Sequence, residues 1–258
     1  MLTPQQIADI LLAAERDRTG IAQISDEHPD IDVATAYRAQ RAFVQAKLDA
    51  GQTFIGWKLG LTSRNKQQAM GLAAPLYGRV TSGMIAAHGE PIRMDRFIHP
   101  RVESEIAFLL ARDVPAPATV ISVLAATELI FGAVDVLDSR YASFQFTLAD
   151  VVADNASAGA FYLGPVGRRP DEIGDLRLLG ANVVVGGEVA MTATGAAVMG
   201  HPAASVAWLA NQLAAEGESL RAGQLVFSGG LTAPVPVVAG ERVTFEFAGL
   251  GSIDVIGR

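Results

Sequence analysis

The segment from Pro100 to Leu110 carries two glutamates spaced as ligands of a single cation would be. Glu103 and Glu105 are separated by one residue, and residues two apart in a β-strand project from the same face. Two adjacent carboxylates repel each other, and the run from Ile106 to Leu110 is apolar enough for an interior strand. A hard divalent cation such as Mg²⁺ or Mn²⁺, bound through oxygen ligands, would offset that repulsion. The alternative is that both glutamates line a solvated edge, because acidic residues are mostly exposed.

A second acidic segment interrupts an apolar run. Asp135 lies between Val134 and Val136, where a buried carboxylate needs a partner or a metal, and this makes Asp135 a third candidate ligand. Asp138 and Arg140 follow directly. We expect these two to form a local ion pair at the strand end, which is a common arrangement of little energetic weight.

Composition excludes several classes of protein. The chain has 258 residues, 27 acidic against 20 basic, a formal charge of -7 and no cysteine. Nucleic-acid binding is disfavoured because phosphate recognition needs clustered Lys and Arg, and thiolate chemistry, disulfides and cysteine-ligated metals are excluded. The N-terminus lacks a basic leader, and Glu128 and Glu188 interrupt the longest apolar stretches before about 18 residues. A cytoplasmic protein without a membrane partner is therefore expected.

The first fifty residues predict two helices. The run Thr3-Pro4-Gln5-Gln6 combines an N-cap threonine, a proline at the first helical position and a glutamine three residues after the cap. A second helical pattern begins after Asp32 and stops at Gly51, a residue suited to the position after a helix. We expect a helical N-terminal region over residues 1–53 and a metal-binding catalytic β-roll domain over residues 54–258.

Beyond residue 54, short apolar runs separated by glycine and proline predict strands. Their number and irregular spacing indicate an α+β fold with a mixed β-roll or β-sandwich core rather than a regular βαβ series. The glycines match neither a phosphate-binding loop nor a dinucleotide fingerprint. Helices are expected from Thr119 to Phe131 and from Pro202 to Gly217. The predicted strands cover residues 55–61, 101–111, 133–137, 160–163, 182–189, 225–228 and 243–247.

Six short motifs occur in order along nearly the whole chain. They are Gly56-Trp57-Lys58-Leu59-Gly60-Leu61-Thr62-Ser63, Pro75-Leu76-Tyr77-Gly78, Pro100-Arg101-Val102-Glu103-Ser104-Glu105, Asp138-Ser139-Arg140-Tyr141, Val152-Ala153-Asp154-Asn155-Ala156-Ser157 and Gly200-His201-Pro202. Together they resemble the 2-hydroxypentadienoate hydratase and 4-oxalocrotonate decarboxylase family, part of the fumarylacetoacetate hydrolase superfamily. That family serves the meta-cleavage degradation of aromatic compounds. The resemblance implies a mixed β-roll core that carries a Mg²⁺ or Mn²⁺ site.

The resemblance also implies which residues hold the metal. Glu103 and Glu105 match the first two ligands of the family. The third family ligand is usually glutamate, and the matching residue here is Asp135, which is one methylene shorter. This departure implies a slightly shifted metal or a contact bridged by water.

Further residues are implicated in catalysis and substrate binding by the same resemblance. Lys58 matches a lysine of the family's active site and is our candidate for proton transfer or enolate stabilisation; the alternative is a lysine that only pairs with a ligand carboxylate. Ser157 is the second catalytic candidate, in a loop that the family places near the substrate. Leu76, Asp154 and Arg140 are expected at the substrate pocket.

The two activities of the family share their chemistry. A 2-oxo acid chelates a cation through its carboxylate and 2-oxo group, and the cation stabilises the dienolate that forms when electrons flow toward the carbonyl. A decarboxylase would convert 2-oxo-3-hexenedioate (4-oxalocrotonate) to 2-hydroxypenta-2,4-dienoate and CO₂. A hydratase would add water to that dienol at carbon 4 and give 4-hydroxy-2-oxopentanoate.

The residue at position 76 favours the decarboxylase. Hydratases of the family tend to carry an acidic residue in a Pro-Asp-Phe/Tyr-Gly motif, whereas Leu76 is apolar, and an apolar wall favours departure of a carboxylate as neutral CO₂. Residues 158–161 are closer to the hydratases, so hydration is the alternative activity. The departure at Asp135 motivates a third hypothesis, a catalytically silent homologue that binds a 2-oxo acid. The resemblance further implies a homo-oligomer, associated in some relatives with the partner enzyme of the pathway.

Four histidines complete the candidates. His201 directly precedes Pro202, and a proline at the first helical position explains this pair without chemistry. We therefore expect His201 to begin a helix rather than to act as a ligand or base. His28, His88 and His99 lie in loop-like contexts without a partner pattern.

Overall fold

Two β-sheets and seven α-helices make up the computed structural model in the residues that it describes, 2–63, 67–68 and 74–258. Among these residues, no helix is both long enough and apolar enough to cross a bilayer. The helices are α1 (Pro4–Asp17), α2 (Ile24–Glu27), α3 (Val33–Asp49), α4 (Val120–Ala126), α5 (Leu148–Ala153), α6 (Pro170–Ile173) and α7 (Pro202–Ala215). The strands are β1 (Phe54–Gly60), β2 (Leu76–Thr81), β3 (Ile85–Ala86), β4 (Arg101–Leu110), β5 (Thr127–Leu137), β6 (Ala158–Arg168), β7 (Gly180–Val185), β8 (Glu188–Thr194), β9 (Leu225–Phe227), β10 (Val235–Pro236), β11 (Arg242–Phe247) and β12 (Gly251–Ile256).

The larger sheet is mixed and runs in the order β2-β1-β9-β4-β5-β6-β3, with β10 paired to the start of β4. Strand β9 is parallel to β1 and antiparallel to β4, so it connects two strands that are distant from it in sequence. The smaller sheet runs β12-β11-β7-β8 and is antiparallel throughout. The predicted α+β class with a mixed sheet core is confirmed.

The main hydrophobic core joins both sheets with α7. Val134 of β5, Phe245 of β11 and Leu209 of α7 are fully buried members of one cluster. Complete burial of a side chain of this size contributes about 1.5–3 kcal/mol each to stability. The layers thereby fix β4 and β5, the strands that carry the candidate ligands.

A second cluster attaches the N-terminal helices. Ile7 of α1 and Phe43 of α3 pack in one cluster with Leu76 of β2 and Val152 of α5. The capping box predicted at Thr3 is present, because its side chain accepts from the Gln6 N–H and Gln6 bonds back to the Thr3 N–H. The boundary at residue 53 stays a prediction, since this cluster lies on both sides of it.

Two predicted elements were wrong in extent. The helix expected from Thr119 to Phe131 ends at Ala126, and β5 begins at Thr127. Pairing of β5 with β4 and β6 overrides the local helical spacing, as tertiary context often does. The strand expected over residues 182–189 is a hairpin, because Gly186 and Gly187 have φ values of 60° and 88° and form its two-residue turn.

His201 begins α7, as the sequence predicts. Its Nδ1 accepts a hydrogen bond of 3.0 Å from the Ala203 N–H, and Pro202 occupies the first turn.

The capping role of His201 gives a testable expectation. His201→Ala should lower the free energy of unfolding by about 0.5–2 kcal/mol, because the Ala203 N–H loses its acceptor. His201→Asn, which keeps a capping oxygen, should retain most of that stability. Urea denaturation measures both changes, and turnover should be unaffected. Loss of turnover in the stable asparagine variant would instead identify His201 as a catalytic group.

Candidate metal centre

The three acidic residues indicated by the sequence meet on one face of the large sheet. Glu103 lies directly opposite Asp135 in the β4–β5 pair, and Glu105 follows two residues along β4 on the same face. One carboxylate oxygen from each residue lies within 4.8 Å of the others. Glu105 and Asp135 are fully buried, and Glu103 is 6% exposed. The solvated-edge alternative is therefore wrong.

The surroundings of Glu105 suit a cation. Its Oε2 accepts a hydrogen bond of 3.0 Å from the Gly229 N–H, whereas Oε1 has no hydrogen-bond partner in the described part of the chain. Burial, followed by the charges of Asp135 and Glu103, raises the pKa of Glu105 well above its ordinary value. Ionising this cluster without a cation is therefore costly. A buried, unpartnered carboxylate oxygen beside two more carboxylates fits a hard divalent cation such as Mg²⁺ or Mn²⁺.

Lys58 lies at the edge of this cluster. It is buried in β1, and its Nζ lies 2.7 Å from Asp135 Oδ2. The same ammonium group donates a hydrogen bond of 2.7 Å to the Ala156 carbonyl. The ion pair with a candidate ligand carboxylate, one of the two roles expected for Lys58, is thus present in the structure.

A left-handed turn holds the carbonyl that Lys58 contacts. Asn155, Ala156 and Ser157 have φ values of 51°, 56° and 55°, and each such residue costs about 1–2 kcal/mol when it is not glycine. The Asn155 amide compensates by bonding the backbone N–H and C=O of Arg79 at 2.8 and 2.9 Å. Strain of this kind persists only where the surrounding structure enforces it. Here it directs the Ala156 carbonyl at Lys58.

Arg140 and Asp154 support this turn from behind. The Arg140 guanidinium forms a buried ion pair with the Asp154 carboxylate, and Asp154 also accepts a hydrogen bond of 3.1 Å from Ser157 Oγ. Burial raises the pKa of Asp154 to about 6, against the lowering effect of Arg140. The predicted ion pair between Asp138 and Arg140 was wrong. The Asp138 carboxylate accepts from the backbone N–H groups of residues 98–99, and Arg140 donates to the backbone carbonyl of Asp138 and not to its carboxylate.

A cavity of about 270 Å³ opens beside the cluster. Lys58, Leu76, Glu103 and Ser157 line it, so the structure brings four of the predicted site residues to one space. Asp154 and Arg140, expected at the substrate pocket, do not line this cavity, and Arg140 lines a separate cavity of about 210 Å³. The remaining lining residues are Gly60, Leu61, Arg101, Leu137, Phe144, Phe146, Val151, Ala156, Ala233 and Pro234.

The sequence analysis missed two groups at this site. Arg101 lines the cavity, and its period-two spacing from Glu103 was a signal that could have identified it. Gly229 donates its N–H to Glu105 from a loop 124 residues away. No local pattern could have revealed this second contact.

Gly229 provides a test of that contact. Its φ is +103°, and a Cβ at this position would lie 2.2 Å from Thr62 Oγ1. Gly229→Ala should therefore displace the N–H from Glu105 and weaken metal affinity by about 10–100-fold, as loss of a group that orients a ligand typically does. Gly223→Ala is the matched control, because Gly223 has a φ of +81° with open space around it. Isothermal titration with Mn²⁺ should distinguish the variants, and equal affinities would contradict an orienting role.

The fold and the acidic cluster define the family. The model for the C-terminal domain of fumarylacetoacetate (FAA) hydrolase matches residues 41–255, and the chain belongs to this family, as its motifs predicted. It is 40% identical over 248 residues to 4-oxalocrotonate decarboxylase of Pseudomonas sp. (strain CF600), covering 96% of this chain and 94% of that protein. It is 37% identical to 2-oxo-hept-4-ene-1,7-dioate hydratase of Escherichia coli over 254 residues, covering 96% and 95%. The structure of 4-oxalocrotonate decarboxylase from Pseudomonas putida G7, complexed with magnesium and adipate, matches with a TM-score of 0.94 at 35% identity, covering 100% of this chain and 99% of that one.

Proposed function

We propose that this chain is a metal-dependent lyase that decarboxylates 2-oxo-3-hexenedioate to 2-hydroxypenta-2,4-dienoate. The observation that carries the proposal is the composition of the cavity wall. Leu76 is buried in that wall, and Glu103 is the one acidic residue that lines the cavity among residues 2–63, 67–68 and 74–258. Addition of water needs a group that activates it, whereas loss of CO₂ is favoured by an apolar surrounding.

Glu103, Glu105 and Asp135 would hold Mg²⁺ or Mn²⁺. When bound, the cation supplies Lewis-acid stabilisation of negative charge that develops on the 2-oxo group of the substrate. The relative from Pseudomonas putida G7, whose structure contains magnesium, supports this choice of metal. The shorter side chain of Asp135 is held toward the cluster by its ion pair with Lys58.

Lys58 would donate the proton that the reaction requires. The bond between carbon 5 and the distal carboxylate breaks, its electron pair shifts through the conjugated chain to the 2-oxo oxygen, and CO₂ leaves. The oxygen then needs one proton to give the dienol, and Lys58 Nζ, 2.7 Å from Asp135, lies at the edge of the metal centre to donate it. Ser157, on the cavity wall and bonded to Asp154, would orient the substrate.

A pair of assays tests this function. Purified protein with Mg²⁺ is mixed with 2-oxo-3-hexenedioate while absorbance and CO₂ are followed, and then with 2-hydroxypenta-2,4-dienoate. Release of CO₂ without hydration is expected, and a chelator should abolish it. Hydration alone would favour the hydratase, an activity that the similarity to the Escherichia coli hydratase keeps relevant. Metal binding with neither activity would identify a silent homologue that binds 2-oxo acids.

Assembly and location extend the proposal. We predict a homo-oligomer in the cytoplasm, associated with the enzyme that acts next on the product. Light scattering of the purified protein measures the oligomeric state. Copurification with a hydratase from the same cells tests the association with that enzyme.

A further inference from the structure

Arg101 shares a strand face with the candidate metal ligands. It is the first residue of β4, two positions before Glu103 and four before Glu105, so the three side chains project from one face of the sheet. Successive positions on that face are about 6.6 Å apart along the strand. Strand β4 therefore places the guanidinium of Arg101 at the cavity wall and the candidate metal ligand Glu103 two residues further along the same face.

The guanidinium of Arg101 is held against an aromatic ring. It lies 4.1 Å from the centroid of the Phe144 ring, and such stacking fixes an arginine without using its N–H donors. Within the described ranges, no carboxylate forms an ion pair with Arg101. Lys58 and Arg140 differ in this respect, because Lys58 pairs with Asp135 and Arg140 pairs with Asp154.

The surroundings of Arg101 favour the binding of an anion. The cavity that Arg101 lines is also lined by Leu137, Phe144, Phe146 and Pro234, which offer no side-chain acceptor, and by the candidate ligand Glu103. A guanidinium beside apolar surface presents a planar set of donors that matches a carboxylate in two parallel hydrogen bonds. An arginine in this setting gains most from a ligand that brings its own carboxylate.

We propose that Arg101 binds the distal carboxylate of the substrate and thereby selects dicarboxylic over monocarboxylic 2-oxo acids. The inference rests on the proposed function, in which the 2-oxo end of the substrate lies at the metal centre. The ends of an extended six-carbon chain are about 6 Å apart by standard bond geometry. A chain of this length can extend from the metal centre along the wall of the cavity that both Glu103 and Arg101 line.

The pairing also makes a kinetic prediction. The distal carboxylate is bound by Arg101 in the ground state, and its charge is lost as CO₂ leaves. Arg101 therefore contributes to substrate binding and not to stabilisation of the transition state. Removing the guanidinium should raise KM for 2-oxo-3-hexenedioate and raise kcat by a similar factor, so that kcat/KM stays within about threefold of the wild-type value.

Two ligands that differ only in the distal carboxylate test the proposal by calorimetry on the Mg²⁺-loaded protein. 2-Oxohexanedioate carries that carboxylate, and 2-oxohexanoate has a methyl group in its place. Arg101→Gln should weaken binding of the first by about 10–100-fold, the usual effect of losing a charged bidentate contact, and change the second less than twofold. Arg101→Lys should give an intermediate loss. Arg242→Gln, which removes an exposed arginine paired with Asp254, is the matched control and should change neither.

The outcomes separate this inference from the proposed function. Equal losses for both ligands, or no loss for either, would overturn the role of Arg101 even in an active decarboxylase. Selective loss in a protein that releases no CO₂ would support the role of Arg101 and refute the decarboxylase. Thermal melting of each variant establishes that it is folded, and Arg101→Lys provides the same comparison if the glutamine variant is not.

Discussion

Glu105→Gln is expected to abolish metal-dependent turnover and to lower metal affinity by more than about 100-fold, beyond the effect of losing a residue that merely orients a ligand. Glu105 is fully buried, and its Oε1 has no hydrogen-bond partner among the residues that the structure describes. An amide in its place keeps the shape but removes the charge that a divalent cation requires. Titration with Mn²⁺, monitored by calorimetry, measures the affinity, and CO₂ release measures the turnover.

The same substitution should have the opposite effect on the protein without metal. Burial raises the pKa of Glu105, and repulsion from Asp135 and Glu103 raises it further. Removing that charge relieves the repulsion, so the melting temperature of the metal-free variant should equal or exceed that of the wild type, while the increase caused by added metal disappears. Glu128→Gln, on an exposed position of β5, is the control and should retain the metal-dependent increase. A metal-dependent increase that persisted in Glu105→Gln would remove this residue from the ligand set.

Lys58→Met is expected to reduce turnover by about 10²–10⁴-fold, the usual contribution of a positioned proton donor. It should also destabilise the metal-free protein by about 3–5 kcal/mol, because Asp135 is left buried without the ammonium group 2.7 Å away. A saturating divalent metal should restore most of the stability, since the cation compensates the carboxylate. Turnover should stay low, because the metal cannot replace the proton donor.

This difference between stability and turnover separates the two roles of Lys58. If metal restored both, the lysine would serve only to neutralise Asp135. Lys47→Met is a suitable control, since Lys47 also pairs with a carboxylate, that of Glu15, away from the cavity beside the metal centre. That variant should keep its turnover. Chemical denaturation and CO₂ release, each with and without metal, give the four measurements for each variant.

Local spacing was sufficient to predict the cluster of acidic residues on one face of the large sheet. The alternation of side chains in a strand placed Glu103 and Glu105 together, and the apolar neighbours of Asp135 indicated burial. Helix starts at Thr3 and His201 were likewise encoded within four residues. Such features depend on neighbours in sequence, and they were correct.

Long-range contacts account for the errors. A helical pattern continued past Ala126, but the ladder with β4 converts the chain from Thr127 into strand. Arg140 forms its ion pair with Asp154 rather than with Asp138, which is nearer in sequence. Asp154 directly follows α5, and the fold of the chain places its carboxylate beside Arg140. The orienting N–H of Gly229 depends on strand order, which no single segment determines.

The order of strands in the large sheet has a consequence for synthesis of the chain. Lys58 in β1 and the glutamates in β4 are separated by β9, and Lys58 pairs there with Phe227, 169 residues later. A nascent chain can pair β4 with β5 and so bring the three carboxylates together long before β9 leaves the ribosome. Closing such a distant contact is slow, because the long intervening chain loses conformational entropy before the contact stabilises the fold. Before that closure the carboxylates lack the Gly229 N–H that bonds Glu105. The cation should therefore bind tightly only once β9 and the residues that follow it are in place, so metal binding would report a late step in assembly of the large sheet.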